Sequence, residues 1–476
     1  MEPVTVEVRE GESLLLALSR EGLFVEAPCG GLGRCGSCAV RIAAGPLLPD
    51  SRHLACRVDR PGTYTLLRAH PIDLPPVRLP RRRKTGRDLG LAVDLGTTTV
   101  AAALVDPATG RILAAARRTN PQRAYGAEVL SRLRAGLSPD HRPRLAELAR
   151  HAVTSLLASL LDRDRASPAD LRAARLCGNA AMTLLFLGRD PERAATPPYE
   201  PGLAAEGAIP VPPDGLPLPP SAEARFLPAL GGHVGSDTTA AVLAAGLTDG
   251  PRPALLLDLG TNGEVALAAK GALLVASAAA GPAFEGGGLT HGSPAGPGAV
   301  EAVSRRGPDF TFRTGGATPP RTWCGSGALD LLAVLLDGGF LDPSGRLRSL
   351  PPLPVPFDQG DVRELQLAKG ALAAAVSILL AEAGLSGRDL ARVVLTGAFG
   401  ARASPASARR IGLLPPGPPA EALDAGALRG AALALRPDGL DRAAAIAAAA
   451  RHVPLGDRPD FENVFAEHMA LRELPA

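Results

Sequence analysis

The residues best suited to chemistry come early in the chain. Cys29, Cys35, Cys38 and Cys56 follow the spacing C-x5-C-x2-C-x17-C, beginning in CGGLGRCGSC. Thiolates so spaced hold soft metals, either an iron–sulfur cluster or zinc. Gly30, Gly31, Gly33 and Gly36 let the backbone wrap closely and turn N–H groups toward bridging sulfides, which favours the cluster. A closed zinc site is the alternative, although zinc ribbons pair two C-x2-C knuckles and this stretch has one. Cys177 and Cys324, in LCGNAAM and WCGSGALD, read as buried structural thiols.

A second chemistry lies further on, in Asp94-Leu-Gly-Thr-Thr-Thr99 and Asp258-Leu-Gly-Thr-Asn-Gly-Glu264. An aspartate at a strand end can hold Mg2+, largely through water, because that ion keeps most of its hydration shell. Gly96, Gly260 and Gly263 allow backbone N–H groups to approach phosphate oxygens, and Thr97, Thr98, Thr99, Thr261 and Asn262 add polar contacts. Val393-Val-Leu-Thr-Gly-Ala-Phe-Gly400 reads as a buried strand ending at Gly397 and Gly400, suited to close contact with an adenosine. A GxxxxGK[ST] phosphate loop is missing, which excludes a Walker ATPase. Asp237, in GGHVGSDTTAA, either orders Mg2+ or water as a third catalytic carboxylate or caps a helix. Glu285 touches ligand or holds its loop; for His233 and His291 the structural role is preferred. Gly325-Ser-Gly327 is an anion site or a plain helix start.

These groups need elements to position them. Val4, Val6 and Val8 alternate with polar residues as a strand does, SLLLALSRE (13–21) reads as a short helix, and 39–42 and 63–67 as further strands. A small β-grasp module over 1–70 fits. Residues 71–88, PIDLPPVRLPRRRKTGRD, form a Pro/Arg-rich linker, either solvated or a docking patch for an acidic partner. The stretches 90–106 and 254–269 echo each other: apolar run, Asp-Leu-Gly-Thr, apolar run, the pattern of a β-hairpin. The echo predicts a duplicated α/β fold, lobe I over 89–250 and lobe II over 251–476, with a nucleotide cleft between lobes. Helices are expected over 145–161 and 365–383.

Composition narrows the function. The chain has 476 residues, 51 Lys+Arg against 48 Asp+Glu, a net charge of +3 and 3% aromatics. Near-balanced charge and scarce aromatics argue against nucleic-acid binding. The hydrophobic fraction of 46% excludes a wholly disordered chain. MEPVTVEVREGE lacks the pattern of a secretory signal, and uninterrupted apolar runs fall short of a membrane span of about 20 residues. A cytoplasmic protein is expected, and six cysteines there do not imply a disulfide framework.

The paired phosphate turns and adenosine strand resemble the acetate and sugar kinase, Hsp70 and actin (ASKHA) superfamily. With the cysteine cluster in front, the chain resembles the reductive activators of corrinoid-dependent proteins. The segments that carry the likeness are CGGLGRCGSC, NPQRAYGAEVLSRL (120–133), CGNAAMTLLFLG (177–188), DLGTNGE, GPAFEGG, CGSGALDLL and DVRELQLAKGALAAAV (361–376). Glu128 stands where Asp is expected, Ala180-Ala181 where Thr-Thr is, and Gly292-Ser-Pro where Gly-Met is.

The resemblance implies a β-grasp ferredoxin-like domain carrying a [2Fe-2S] cluster on Cys29, Cys35, Cys38 and Cys56. The first gap is one residue longer than the C-x4-C-x2-C of plant-type ferredoxins. It further implies a two-lobed actin/Hsp70/sugar-kinase-like ATPase using ATP and Mg2+. The implied activity is one-electron reduction of a corrinoid protein from inactive Co(II) to Co(I), driven by ATP. The partners are then the corrinoid iron–sulfur protein or a methyltransferase corrinoid subunit, and a low-potential electron donor, with the chain itself a homodimer. Three other readings compete: a redox-sensing small-molecule kinase, an ATP-dependent activator of another low-potential enzyme, and a scaffold whose ATPase is vestigial. Intact Asp94 and Asp258 motifs argue against the scaffold.

Overall fold

Strands that are apolar at nearly every position must be covered on both faces. Two such strands, Leu89–Leu95 and Ala254–Leu259, form the centres of two sheets, and Asp94 and Asp258 alone interrupt their burial. The structure is a computed structural model that describes residues 4–21, 23–25, 38–47, 52–66, 70–71, 79, 85–126, 128–260, 262–307, 309–316 and 318–474. Cys29, Cys35, Thr261 and nearly all of the 71–84 stretch lie outside the described residues.

The N-terminal sheet has the order Val4–Val8, Gly62–Leu66, Ala39–Ala44, Arg52–Leu54, with every pair antiparallel. The helix Leu14–Arg20 contributes Leu14, Leu15, Ala17 and Leu18 to one core with Val6, Val8, Ile42, Tyr64 and Leu66. A helix grasped by a small sheet is the expected β-grasp form. Each of these fully buried aliphatic side chains contributes about 1.5–3 kcal/mol, so this small core is an independent source of stability.

The two larger sheets repeat one plan. In the first, Leu89–Leu95 pairs antiparallel with Thr99–Asp106, which pairs antiparallel with Arg111–Thr119. On the other side Leu171–Gly178 and Glu223–Phe226 add in parallel. In the second, Ala254–Leu259, Gly263–Ala269 and Ala272–Ala278 form the same antiparallel run, and Arg392–Thr396 and Ala420–Ala422 add in parallel beside Ala254–Leu259. Ala450–His452 extends the far edge. The 90–106 and 254–269 stretches are therefore the same structural unit used twice, as their shared pattern predicts.

Helix His141–Arg163 covers the first sheet with Leu145, Leu148, Ala149, Ala152, Val153, Leu156, Leu157 and Leu160, a 3–4 spacing that lines one face. Helix Gln359–Ala383 covers the second and starts with a capping box, Asp358 with Asp361. Among the described residues this helix alone is long and apolar enough to cross a membrane, and most of its apolar window is buried inside the protein. Polar residues such as Lys369 and Ser377 punctuate it, so it contains no uninterrupted apolar run of spanning length. Its hydrophobicity serves a core.

The chain forms two compact units, one of residues 1–229, 235–237 and 431–440, the other of 230–234, 238–430 and 441–476. The division expected at 250/251 is thus crossed by the 431–440 segment. The physical reason is packing: Gly90 leaves space for Leu435, whose Cδ1 would lie 2.7 Å from a Cβ at that position.

A buried lysine ties the C-terminal segment to the long helix. Lys369 is wholly buried, and its Nζ donates to the carbonyl oxygens of His468 and Ala470, both at 2.7 Å. His468 Nε2 lies 2.8 Å from Ser377 Oγ. Burial, then the charge of Arg472, lowers Lys369 to about 7. Burial, then Lys369 and Arg472, lowers His468 to about 4. The fold lowers both below their ordinary values, so between the folded and unfolded values the unfolded chain binds more protons. Stability should rise with pH from about 4 to 6.5 through His468 and from about 7 to 10.5 through Lys369. Urea unfolding at about pH 7 and about pH 9.5 should show Lys369→Met losing the upper rise that the wild type displays; equal slopes would contradict a neutral buried lysine.

Candidate functional site

The thiols come first. Cys38 immediately precedes the strand Ala39–Ala44, and Cys56 lies in the 3₁₀ turn Ala55–Arg57. The Ala55 N–H donates to the Cys38 carbonyl at 2.8 Å, which brings the turn against the strand's start. The two Sγ atoms are 3.3 Å apart, too far for a disulfide of about 2.05 Å. Two thiolates sharing one tetrahedral metal at about 2.3 Å each would be about 3.7 Å apart, so this pair is placed to share a metal. Cys38 is buried and Cys56 partly so. Among the described residues no group of three or more His, Cys, Asp or Glu could hold a metal ion.

In the first unit, Asp94 sits one residue from the end of Leu89–Leu95, opposite Ala101 on one side and Cys177 on the other. The chain then turns through Gly96, Thr97 and Thr98 into Thr99. The Gly96 N–H donates to the Thr99 carbonyl at 3.0 Å. A Cβ on Gly96 would lie 2.6 Å from that oxygen, so the tight turn requires glycine. Two buried asparagines brace it. Asn120 Nδ2 donates to the Gly96 carbonyl at 2.9 Å, and the Asn120 N–H to the Thr98 carbonyl at 2.9 Å. Asn179 Nδ2 donates to Thr97 Oγ1 at 2.9 Å, while Asn179 Oδ1 caps its own helix, Ala180–Leu187, by accepting from the Met182 N–H.

Asp237 belongs to the same end of this sheet. Ser236 Oγ lies 3.2 Å from both the nitrogen and the carbonyl oxygen of Gly178, at the end of the strand beside Leu89–Leu95. Asp237 is the second residue of the helix Ser236–Ala245, so it is not the cap. Asp94, Gly96–Thr99 and Asp237 thus gather where the parallel strands end.

In the second unit, Asp258 has the same position on Ala254–Leu259. Its register partners are Thr396 and Glu264. The Gly260 N–H donates to the Asn262 carbonyl at 3.3 Å. Gly397 has φ +87° and opens the helical turn Gly397–Gly400 after the strand Arg392–Thr396. A Cβ there would lie 2.5 Å from both Asp258 Oδ1 and the Leu259 carbonyl. Gly400 packs on Leu259. Asp258, Gly260, Asn262, Gly263, Gly397 and Gly400 are therefore neighbours.

Other candidates resolve differently. A Cβ on Gly325 would strike the Phe284 carbonyl and one on Gly327 the Val300 carbonyl, so these glycines seat the helix Gly325–Asp337 against backbone. Cys177 and Cys324 are buried, as expected. His291 is exposed and its carbonyl accepts from the Trp323 N–H. Glu285 ends a 3₁₀ turn, Pro282–Glu285. Three residues beyond the sequence motifs join these turns: Asn120, Asn179 and Glu264. Glu264 is nearly buried and directly opposite Asp258, which puts two carboxylates on one face. The Asp-x5-Glu spacing across a hairpin was the available signal; the asparagines act across long sequence separations and gave none.

Three family descriptions match the chain in order. Residues 1–59 match a 2Fe-2S iron–sulfur cluster binding domain, 89–250 the RACo middle region, and 252–352 and 349–475 the C-terminal ASKHA domain of RACo. The corrinoid activation enzyme RamQ of Eubacterium limosum is 31% identical over 426 residues, 81% of this chain and 71% of that protein. The [Co(II) methylated amine-specific corrinoid protein] reductase of Methanosarcina barkeri is 31% identical over 221 residues, 40% of this chain and 39% of that protein. A solved structure of a reductive activator for corrinoid, iron–sulfur protein superposes with a TM-score of 0.72 and 25% identity, covering 98% of this chain and 96% of that one. An iron–sulfur domain in front of a duplicated ASKHA fold, matched across most of a curated relative, places the chain in the family of reductive activators of corrinoid proteins.

Proposed function

We propose that this protein uses ATP to drive the one-electron reduction of a corrinoid protein from Co(II) to Co(I). The observation that carries the reading is the union, on one polypeptide, of an iron–sulfur domain with a twice-built Asp-Leu-Gly-Thr phosphate turn. A simple ferredoxin needs no nucleotide, and a simple kinase needs no cluster. One electron enters from a low-potential donor and leaves to cobalt, which falls from Co(II) to Co(I). Each unfavourable 59 mV in that transfer costs a factor of ten for one electron, and ATP hydrolysis to ADP and phosphate offsets the gap.

Cys29, Cys35, Cys38 and Cys56 would hold a [2Fe-2S] cluster, with the Cys38–Cys56 separation suiting a shared iron. When bound, that cluster supplies a carrier that takes up and releases electrons singly. Gly96 and Gly260 admit phosphate oxygens to the backbone, Asp94, Asp237 and Asp258 order Mg2+ and water, and Gly397 and Gly400 leave room for the adenosine. Glu264, opposite Asp258, adds a second acceptor for the ion's water shell. The reading places the protein in the cytoplasm, where thiols stay reduced, and takes a homodimer as the working form.

The deciding experiment is anaerobic. The reconstituted, reduced protein is mixed with a Co(II) corrinoid protein from the same cell, and visible spectra are recorded with and without Mg-ATP. The Co(I) band should appear only with ATP; its absence with every corrinoid partner, despite an intact two-iron spectrum, would favour a redox-sensing kinase or another reductase. Cys35→Ala should abolish reduction and keep nucleotide binding. Asp258→Ala should keep the cluster spectrum and lower ATP turnover about 100-fold. Full reductive activity in Cys35→Ala would refute the cluster assignment. Gly397→Ala puts a methyl group against Asp258 at a left-handed φ, so it should lower stability by about 1–2 kcal/mol and weaken nucleotide binding about tenfold, as read by thermal unfolding and nucleotide titration.

A further inference from the structure

The asparagine that braces the first phosphate turn also opens a surface on which the N-terminal domain rests. Asn120 is wholly buried and caps the 3₁₀ turn Pro121–Tyr125, its Oδ1 accepting from the Gln122 N–H at 3.0 Å. Its Nδ2 and N–H hold the Gly96 and Thr98 carbonyls. Gln122, also wholly buried, donates through Nε2 to the Leu145 carbonyl at 2.9 Å and so fixes the turn to the helix His141–Arg163. The outer side of this turn faces the N-terminal domain: the helix Leu14–Arg20 lies against Pro121–Tyr125. Beside it, Arg9 Nη1 pairs with Asp140 Oδ2 at 3.1 Å, and Asp140 directly precedes His141, whose ring meets Tyr125 edge-on at 5.3 Å. The Arg9–Asp140 pair is exposed, where an ion pair contributes little, so this docking can be released.

We infer that the Asn120–Tyr125 segment couples the two: it is a positioning element through which phosphate at the Gly96–Thr99 turn tightens or loosens the docking of the N-terminal domain. The inference rests on the nucleotide reading above. Every link is a hydrogen bond or packed contact in one compact unit, and the turn has no slack, since a carbonyl shift at Gly96 or Thr98 must move Asn120 or break its bonds. Coupling of this kind is reciprocal: docking shifts nucleotide affinity by the factor that nucleotide shifts docking. It suits a protein that must present its electron carrier to a partner at one stage of an ATP cycle and withdraw it at another.

Hydrogen exchange on the full, cluster-loaded chain tests this, with and without a saturating non-hydrolysable Mg-ATP analogue. Nucleotide binding is measured in parallel by titration. In the wild type, amides of residues 10–21 should change exchange rate about fivefold or more on adding the analogue. Gln122→Met removes the bond to the Leu145 carbonyl and leaves the Asn120 bonds to Gly96 and Thr98 in place; it should still bind the analogue but leave 10–21 unresponsive. Arg9→Glu, at an exposed site that does not threaten folding, should raise exchange of 10–21 without nucleotide, and Arg9→Glu with Asp140→Arg should restore it. Binding by the wild type with no change at 10–21, or a retained response in Gln122→Met, overturns the coupling alone. No binding by the wild type overturns the nucleotide reading and the coupling with it.

Discussion

A carboxylate one residue from the end of a strand buried on both faces is the constraint on which each nucleotide-type unit depends. Leu89–Leu95 and Ala254–Leu259 are apolar at every other position, and their burial fixes where the strand ends lie. A charged group at that depth is tolerated only where the sheet stops and water or a cation can reach it. The glycine turn that follows is the consequence. Only a residue without Cβ lets Gly96 close on Thr99, or lets Gly397 sit against Asp258. The antiparallel pair, the turn and the parallel neighbour strand then recur in both units because each solves the same problem.

What was legible in the chain was whatever repeats locally. The paired Asp-Leu-Gly-Thr hairpins, the Leu14–Arg20 helix and the strand before Gly397 all follow from short-range periodicity and special residues, and the structure has each of them. Less legible was anything held by a distant partner. Asn120 and Asn179 are ordinary polar residues until the fold brings them to Gly96 and Thr97. Glu264 becomes notable only once the register pairs it with Asp258. The 431–440 segment joins the first unit through Leu435 on Gly90, a contact across most of the chain. Gly325-Ser-Gly327 shows the converse: a glycine pattern that also suits an anion is spent on close backbone packing against Phe284 and Val300.

The two units are not used alike. In the second, Asp258 faces Glu264 across the hairpin, whereas in the first Asp94 faces Ala101. Opposed carboxylates repel unless a cation or its water lies between them, a constraint that the first turn does not share. The first turn has instead the asparagine brace, which is neutral, buried and geometrically strict. A neutral brace tunes position without competing for the ion.

An electron lifted against its potential needs a gate as well as an energy source, because a carrier held open to solvent or to its donor runs backward as readily as forward. The features found in the first unit fit that requirement. A rigid element, the Pro121–Tyr125 turn, is shared by a phosphate-type turn and by a domain that rests on it through a weak, exposed ion pair. Buried hydrogen bonds on one side and weak docking on the other is the arrangement that the inferred coupling needs, because a small displacement at the turn then weighs against little on the docked side. A tightly docked iron–sulfur domain would be insensitive, and a free one would be uncoupled; an exposed Arg9–Asp140 pair beside a wholly buried Asn120 lies between those limits.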